Sequence, residues 1–276
     1  MPVISTNLAA NSALRYLEIN STAQSESLAK LSSGSRITSA KDDASGLAIA
    51  TTMASDIAVL TQAATNVQNG TAVLNTADGA LSNISEILQR MKSLTAQAQS
   101  GTASDDDLSY IDAEYQQLLE EIDDIAGSSN FNGVKLLDGA DAYSASAGVA
   151  FLVGTDSTDT LSIHLDGADA ATLGVDGTSV TSASAAATAM ADLDTAITAV
   201  SEARANVGAL LSRFEYRGDV IDTSLESLEA AKSAISDVDI AAEQTNFVNV
   251  QTLTSAAIAA LGQANSMNQS LLKLLQ

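Results

Sequence analysis

The chain has 276 residues, no cysteine, a single proline and a formal net charge of −22. Disulfide frameworks and thiol chemistry are excluded, and so negative a chain is a poor partner for nucleic acid or an anionic membrane. With only Pro2 as a helix breaker and 3% aromatic residues, the composition suits long, slender helices better than a thick globular core.

Met1–Ser5 lacks the charged region and apolar core of a Sec-type signal peptide. No run reaches the ~18 apolar residues expected of a transmembrane helix. Residues 5–33 read as helix, with Ala10, Leu14, Leu17, Ser21, Gln24, Leu28 and Leu31 at alternating steps of four and three. Gly34 is the expected C-cap. Asp42 and Asp43 precede a second helix over about 44–99, where acidic groups complement the helix dipole. Its seam is Ile57, Leu60, Ala64, Val67, Thr71 and Leu74, then Leu81, Ile84, Leu88, Met91, Thr95 and Ala98 after a phase shift near Asp78-Gly79. Asn69-Gly70 weakens the helical pattern, and Gly101 is its expected end.

Ser104 with Asp107 forms a capping signal for a third helix striped by Leu108, Ile111, Tyr115, Leu118, Ile122 and Ile125. Its other face carries Asp112, Glu114, Glu120, Glu121, Asp123 and Asp124, and reads as solvated because no EF-hand loop accompanies it. Asn132-Gly133 signals a turn, and Phe151–Val153 and Leu161–Leu165 read as short strands. From about 185 a long helix holds the seam Leu193, Ile197, Val200, Arg204, Val207, Leu211, Phe214, Gly218, Ile221, Leu225, Leu228, Lys232 and Ile235. It breaks at Asp237–Asp239.

The last stretch, 250–276, carries Leu253, Ala257, Ala260, Ala264, Met267, Leu271 and Leu274 at the same spacing. Ala256–Leu261 is apolar all round, so helical partners must bury it. Self-association must also screen repulsion between like-charged copies. Catalytic signatures are missing: His164 is the only imidazole, and no phosphate loop, nucleophile elbow or dinucleotide fingerprint occurs. No enzyme activity, metal or cofactor is expected.

The two ends together resemble bacterial flagellin. In the N-terminal half the resemblance rests on Leu31–Ile37, Ala40–Ala50, Thr76–Leu81, Ile87–Met91 and Phe131–Gly133. In the C-terminal half it rests on Arg204–Ala209, Arg213-Phe214, Ile235–Asp239, Gln263–Asn265 and Leu271–Leu275, so that it covers roughly 1–139 and 185–276.

The resemblance implies a mainly α fold of long antiparallel coiled-coil helices with a small β-hairpin region in the middle. An inner domain would comprise residues 1–43 plus 237–276, and an outer-tube domain 44–236 with its β region at about 128–183. The implied function is that of a structural subunit that self-polymerises into the flagellar filament for motility. A hook–filament junction protein, or a non-flagellar coiled-coil interaction protein, is the alternative; the density of the Asp42–Ala50 and Gly79–Met91 motifs favours flagellin.

Implied partners are copies of itself, an export chaperone, the type III export apparatus, and the filament cap and hook-junction proteins, with an extracellular destination and neither nucleic acid nor membrane bound. The implied polymerisation interface is Leu14, Leu17, Leu28, Leu31, Arg36, Ile37, Asp42, Asp43, Leu253, Ala257, Ala260, Ala264, Met267, Leu271 and Leu274. A candidate innate-receptor epitope is Gln89, Arg90 and Leu94, with Ser93 standing where stimulatory relatives carry Glu. Residues 140–184 leave little room for the outer domains of larger flagellins, and no His-Glu-x-x-His of a protease insert is present.

Overall fold

The computed structural model describes residues 7–100, 102–139, 143–145 and 148–274; the side chains of Asn268 and 271–274 lie outside the described residues. Five helices are present among them: α1 Leu8–Ser33, α2 Ala44–Ala98, α3 Asp105–Ser128, α4 Ala183–Ser236 and α5 Ile240–Leu274. Two antiparallel strand pairs lie between α3 and α4: β1 Asn130–Phe131 with β2 Val134–Lys135, and β3 Val149–Leu152 with β4 Thr160–Ile163. The mainly α architecture with a small β region is thus as expected. The end anticipated at Gly101 falls outside the described residues.

Local signals account for the helix boundaries. Asn7 caps α1 by accepting from Ala10 N–H at 3.0 Å, and Gly34 closes it at φ 70°. Ser104 and Asp107 satisfy each other's backbone N–H in a capping box, and the Ser104 hydroxyl in particular holds the Asp107 carboxyl below its usual range. In the β1–β2 turn Asn132 and Gly133 sit at φ 51° and 80°, the left-handed pair that a two-residue hairpin needs.

The described residues fall into two compact units, one of residues up to Ser55 with those from Ser227 onward, the other Asp56–Glu226. In the second, α2 is an unbroken helix whose seam carries no phase shift. Leu60, Ala63, Val67, Gly70, Leu74, Ala77, Leu81, Ile84, Leu88, Met91, Thr95 and Ala98 are all buried at alternating steps of three and four. The apparent shift at Asp78-Gly79 arises because small members of the seam, Ala63, Gly70 and Ala77, look like off-seam positions in sequence. Gly70 leaves the notch into which the Phe214 ring of α4 fits. Asp78 with Arg204 (3.0 Å) and Lys92 with Asp194 tie α2 to α4.

The middle segment is fastened to this pair and to α3. Phe151 on β3 meets Phe214 edge-on at 5.9 Å, and the Asn66 amide donates to Leu152 O at 3.0 Å. Asp112 accepts from Val180 N–H at 2.8 Å and Asp123 from Ala170 N–H at 2.7 Å. Two carboxylates of the α3 face expected to be solvated therefore bind backbone, satisfying donors of an irregular segment that has no ladder. Tyr115 and Gln116 reach Thr178 at 2.7 and 2.9 Å. His164 is exposed, near Ala145 O and Asp166.

One expectation is corrected: an 18-residue window of α2 is apolar enough, by length and composition, to cross a membrane. Most of that window is not buried within the chain. The stretch near its start mixes Leu47, Ile49, Ile57 and Val59 with Thr51, Thr52, Ser55 and Asp56.

Candidate assembly interface

The first unit is built on the antiparallel pairing of α1 with α5. Along α1 the less exposed side chains are Ala10, Ala13, Leu17, Asn20, Gln24, Ser27 and Leu31. Along α5 they are Glu243, Phe247, Val250, Thr254, Ala257, Leu261 and Ala264. Both rows alternate steps of three and four, as a coiled-coil seam does. Leu17, Leu31, Ala257 and Ala264 therefore lie on the seam of this pair. Leu14, Leu28, Leu253 and Met267 lie off it, each 54–56% exposed. Ala260 is exposed too.

The difference has a physical cause. Each terminal helix carries two adjacent apolar stripes at heptad spacing, and periodicity alone cannot rank them. Pairing within the chain takes the row that mixes Ala10, Ala13, Ala257 and Ala264 with Leu17, Leu31, Phe247 and Leu261. The row of Leu14, Leu28, Leu253 and Met267 stays outside. Leu271 and Leu274 have side chains outside the described residues.

Three polar ties fix the register of the pair. Near one end the Asn7 amide donates to Ala264 O at 3.0 Å. Further along, the buried Ser27 hydroxyl donates to Glu243. Beyond the helix ends, Ser35 and Asp237 form an antiparallel bridge, with Val238 N–H donating to Gly34 O at 3.0 Å. Ser27 is the main reason that the Glu243 carboxyl titrates below its usual 4.5, with Asn246 and Lys30 assisting. A carboxyl lowered in the folded state stabilises fully above its ordinary value, and that contribution is lost as pH falls through the lowered one. Acid should therefore loosen the α1–α5 pair, and Ser27→Ala should weaken it at neutral pH while flattening the acid dependence. NMR titration of the Glu243 carboxyl in both proteins checks this; an unmoved midpoint in the variant contradicts it.

The segment joining α1 to α2 uses the other expected residues inside the chain. Arg36 donates from Nη2 to Ile235 O at 2.7 Å and from its backbone N–H to Ser236 O, also at 2.7 Å. Ile37 is buried beside Gly46, where an added Cβ would lie 2.8 Å from its Cδ1. Asp42 accepts from Ser39 N–H at 2.9 Å and Thr38 N–H at 3.1 Å, and the Ser39 contact above all holds its carboxyl below the usual range. Asp43 caps α2 by accepting from Gly46 N–H at 2.8 Å. These contacts were not legible from periodicity, since no repeat marks a turn.

In the other unit, Gln89 and Arg90 are exposed on α2, with Arg90 Nη2 2.6 Å from Glu114. Leu94 is only 2% exposed and belongs to the core. Among the described residues no group of three or more His, Asp or Glu side chains is placed to hold a metal ion.

Residues 4–142 match the family described as the bacterial flagellin N-terminal helical region, and residues 190–275 the bacterial flagellin C-terminal helical region. The flagellin of Halalkalibacterium halodurans is 37% identical over 276 residues, spanning 99% of this chain and 100% of that protein. A flagellar filament 30.7 kDa core protein of Treponema maltophilum is 38% identical over 283 residues, covering 99% of each. The crystal structure of Bacillus cereus flagellin is similar at a TM-score of 0.50 and 34% identity, covering 56% of this chain and 88% of that one. With both helical regions matched and relatives aligned along nearly their whole length, the chain belongs to the bacterial flagellin family.

Proposed function

We propose that the chain is a structural subunit that self-polymerises into the extracellular filament of the bacterial flagellum, with the outer stripes of α1 and α5 as its assembly surface. One observation carries this: pairing within the chain leaves Leu14, Leu28, Leu253 and Met267 more than half exposed in two parallel rows. A monomer that kept such rows in water would forfeit ~1.5–3 kcal/mol for each side chain left unburied. Neighbouring copies supply the burial. Leu17, Leu31, Ala257 and Ala264 form the seam beneath, and Ala260 extends the surface. Arg36, Ile37, Asp42 and Asp43 shape the turn that sets where the rows end.

The names of the Treponema relatives as filament core proteins favour a filament subunit over a hook-junction protein. In the same reading an export chaperone covers the exposed rows before assembly. The type III export apparatus then delivers the chain to a site bounded by the cap and hook-junction proteins. Residues 89 and 90 are the accessible part of the candidate innate-receptor epitope.

The test is negative-stain imaging and sedimentation of purified protein after seeding, across a salt series. Filaments are expected, and fewer at low ionic strength, because repulsion between subunits of charge −22 then reaches farther. Absence of filaments at every salt concentration would overturn the reading.

A further inference from the structure

Between residues 213 and 226, α4 presents two chemically opposite flanks, neither of which has an ion-pair partner among the described residues. Phe214 and Ile221 point into the core, 0% and 2% exposed. To one side run Arg213, Tyr216, Arg217 and Val220, all exposed. To the other run Glu215, Asp219, Asp222 and Glu226, likewise exposed at steps of four, three and four. At about 100° per residue, each row is centred roughly a third of a turn from the buried line. Among the described residues none of these six charged side chains forms an ion pair. The α2 helix alongside, where Val67 lies near Gly218, contributes no charged residue between Asp56 and Asp78.

A charged row on a helix is ordinarily a solvated face. This basic row differs in three respects. Lys and Arg number only 12 against 34 Asp and Glu, yet two unpaired arginines stand four residues apart. Tyr216 between them is 72% exposed, and Val220 continues the row at 55%. Tyrosine and arginine on an exposed face are the residues most enriched at protein interfaces.

We infer that the Arg213–Tyr216–Arg217–Val220 flank of one subunit docks on the Glu215–Asp219–Asp222–Glu226 flank of the next. An acidic occupant complements the basic row, and the opposite flank of the same helix supplies one in every copy, with the same four-residue spacing between Glu215 and Asp219 as between Arg213 and Arg217. A contact between two different flanks is heterologous, so each docked copy offers a free flank and the contact propagates rather than closing. The inference rests on the filament reading and gives that assembly a second, polar contact outside the α1–α5 rows.

Two full-length variants test it. Arg213→Glu/Arg217→Glu is acidic on both flanks, and Asp219→Arg/Asp222→Arg carries added positive charge on the acidic one. Each alone sets like charges against each other and is expected to raise the critical concentration for polymerisation ~10-fold or more. An equimolar mixture restores both contacts and is expected to polymerise near the unsubstituted level as a copolymer. Arg213→Lys/Arg217→Lys should behave nearly as the unsubstituted chain. Restoration by mixing could not come from misfolded subunits, so it separates docking from damage. Variants that polymerise normally alone, or a mixture no better than its parts, would overturn the inference while leaving the filament reading intact. An unsubstituted chain that fails to polymerise would overturn both.

Discussion

A chain ending at Ala256 is expected to form no filaments while its 56–226 unit still melts as a folded helical body. The deletion removes Ala257, Leu261 and Ala264 from the seam, the carbonyl that Asn7 holds at 3.0 Å, and the exposed Ile258 and Met267. The first turns of α1 then have no partner. Burial of Ile258 and Met267 by neighbouring copies at ~1.5–3 kcal/mol each represents a few decades of affinity, at about 1.4 kcal/mol per decade. Repulsion among chains that keep every acidic residue and have lost Lys273 opposes whatever attraction remains. Electron microscopy and sedimentation read the filament loss, and circular dichroism reads the surviving helices. Normal filaments from the shortened chain would remove the terminal stripes from the mechanism.

Phe214→Ala should be the most damaging single substitution in the 56–226 unit, costing ~3–5 kcal/mol by transfer and cavity terms together. For a body of that size it corresponds to a melting temperature lower by on the order of 10 °C. The ring is fully buried, faces Phe151 at 5.9 Å, and fills the notch left by Gly70. The glycines of α2 give the matching contrast. Gly79 has open space around an added Cβ, so Gly79→Ala should stabilise by ~0.5–1 kcal/mol through helix propensity. At Gly70 the same methyl would run into the Phe214 ring, and overpacking at ~1–3 kcal/mol outweighs that gain. Thermal melts of the three variants should therefore order as Gly79→Ala above the parent, Gly70→Ala below it, and Phe214→Ala lowest. Equal shifts for the two glycine variants would show that the notch is not tight.

Helix number and order, and the caps at Gly34 and Ser104, were legible because they depend on local chemistry that acts within a turn of where it stands. The long α4 seam was legible because its members Leu193, Val200, Val207, Phe214 and Ile221 are large and regularly spaced. The rest was hidden by size and by distance. Periodicity favours large apolar residues, so Leu14, Leu28, Leu253 and Met267 stand out, whereas Ala13, Ser27 and Thr254 at the true seam do not. Gly70 was read as a weak point of the helix for the same reason. Asp112 and Asp123 gave no sign in sequence that they would hold backbone N–H groups some fifty to seventy positions away, at Ala170 and Val180.

The three polar ties along α1 and α5 bear on the fidelity of construction. A coiled coil of plain alanine and leucine could slide by one heptad, about 10 Å, and remain well packed. Here such a slip would part Asn7 from Ala264, Ser27 from Glu243 and Ser35 from Asp237 in a single step. Every copy is thereby held to one length. A polymer that adds its subunits end upon end multiplies any variation in their span, and the small polar groups of this seam keep that error from starting.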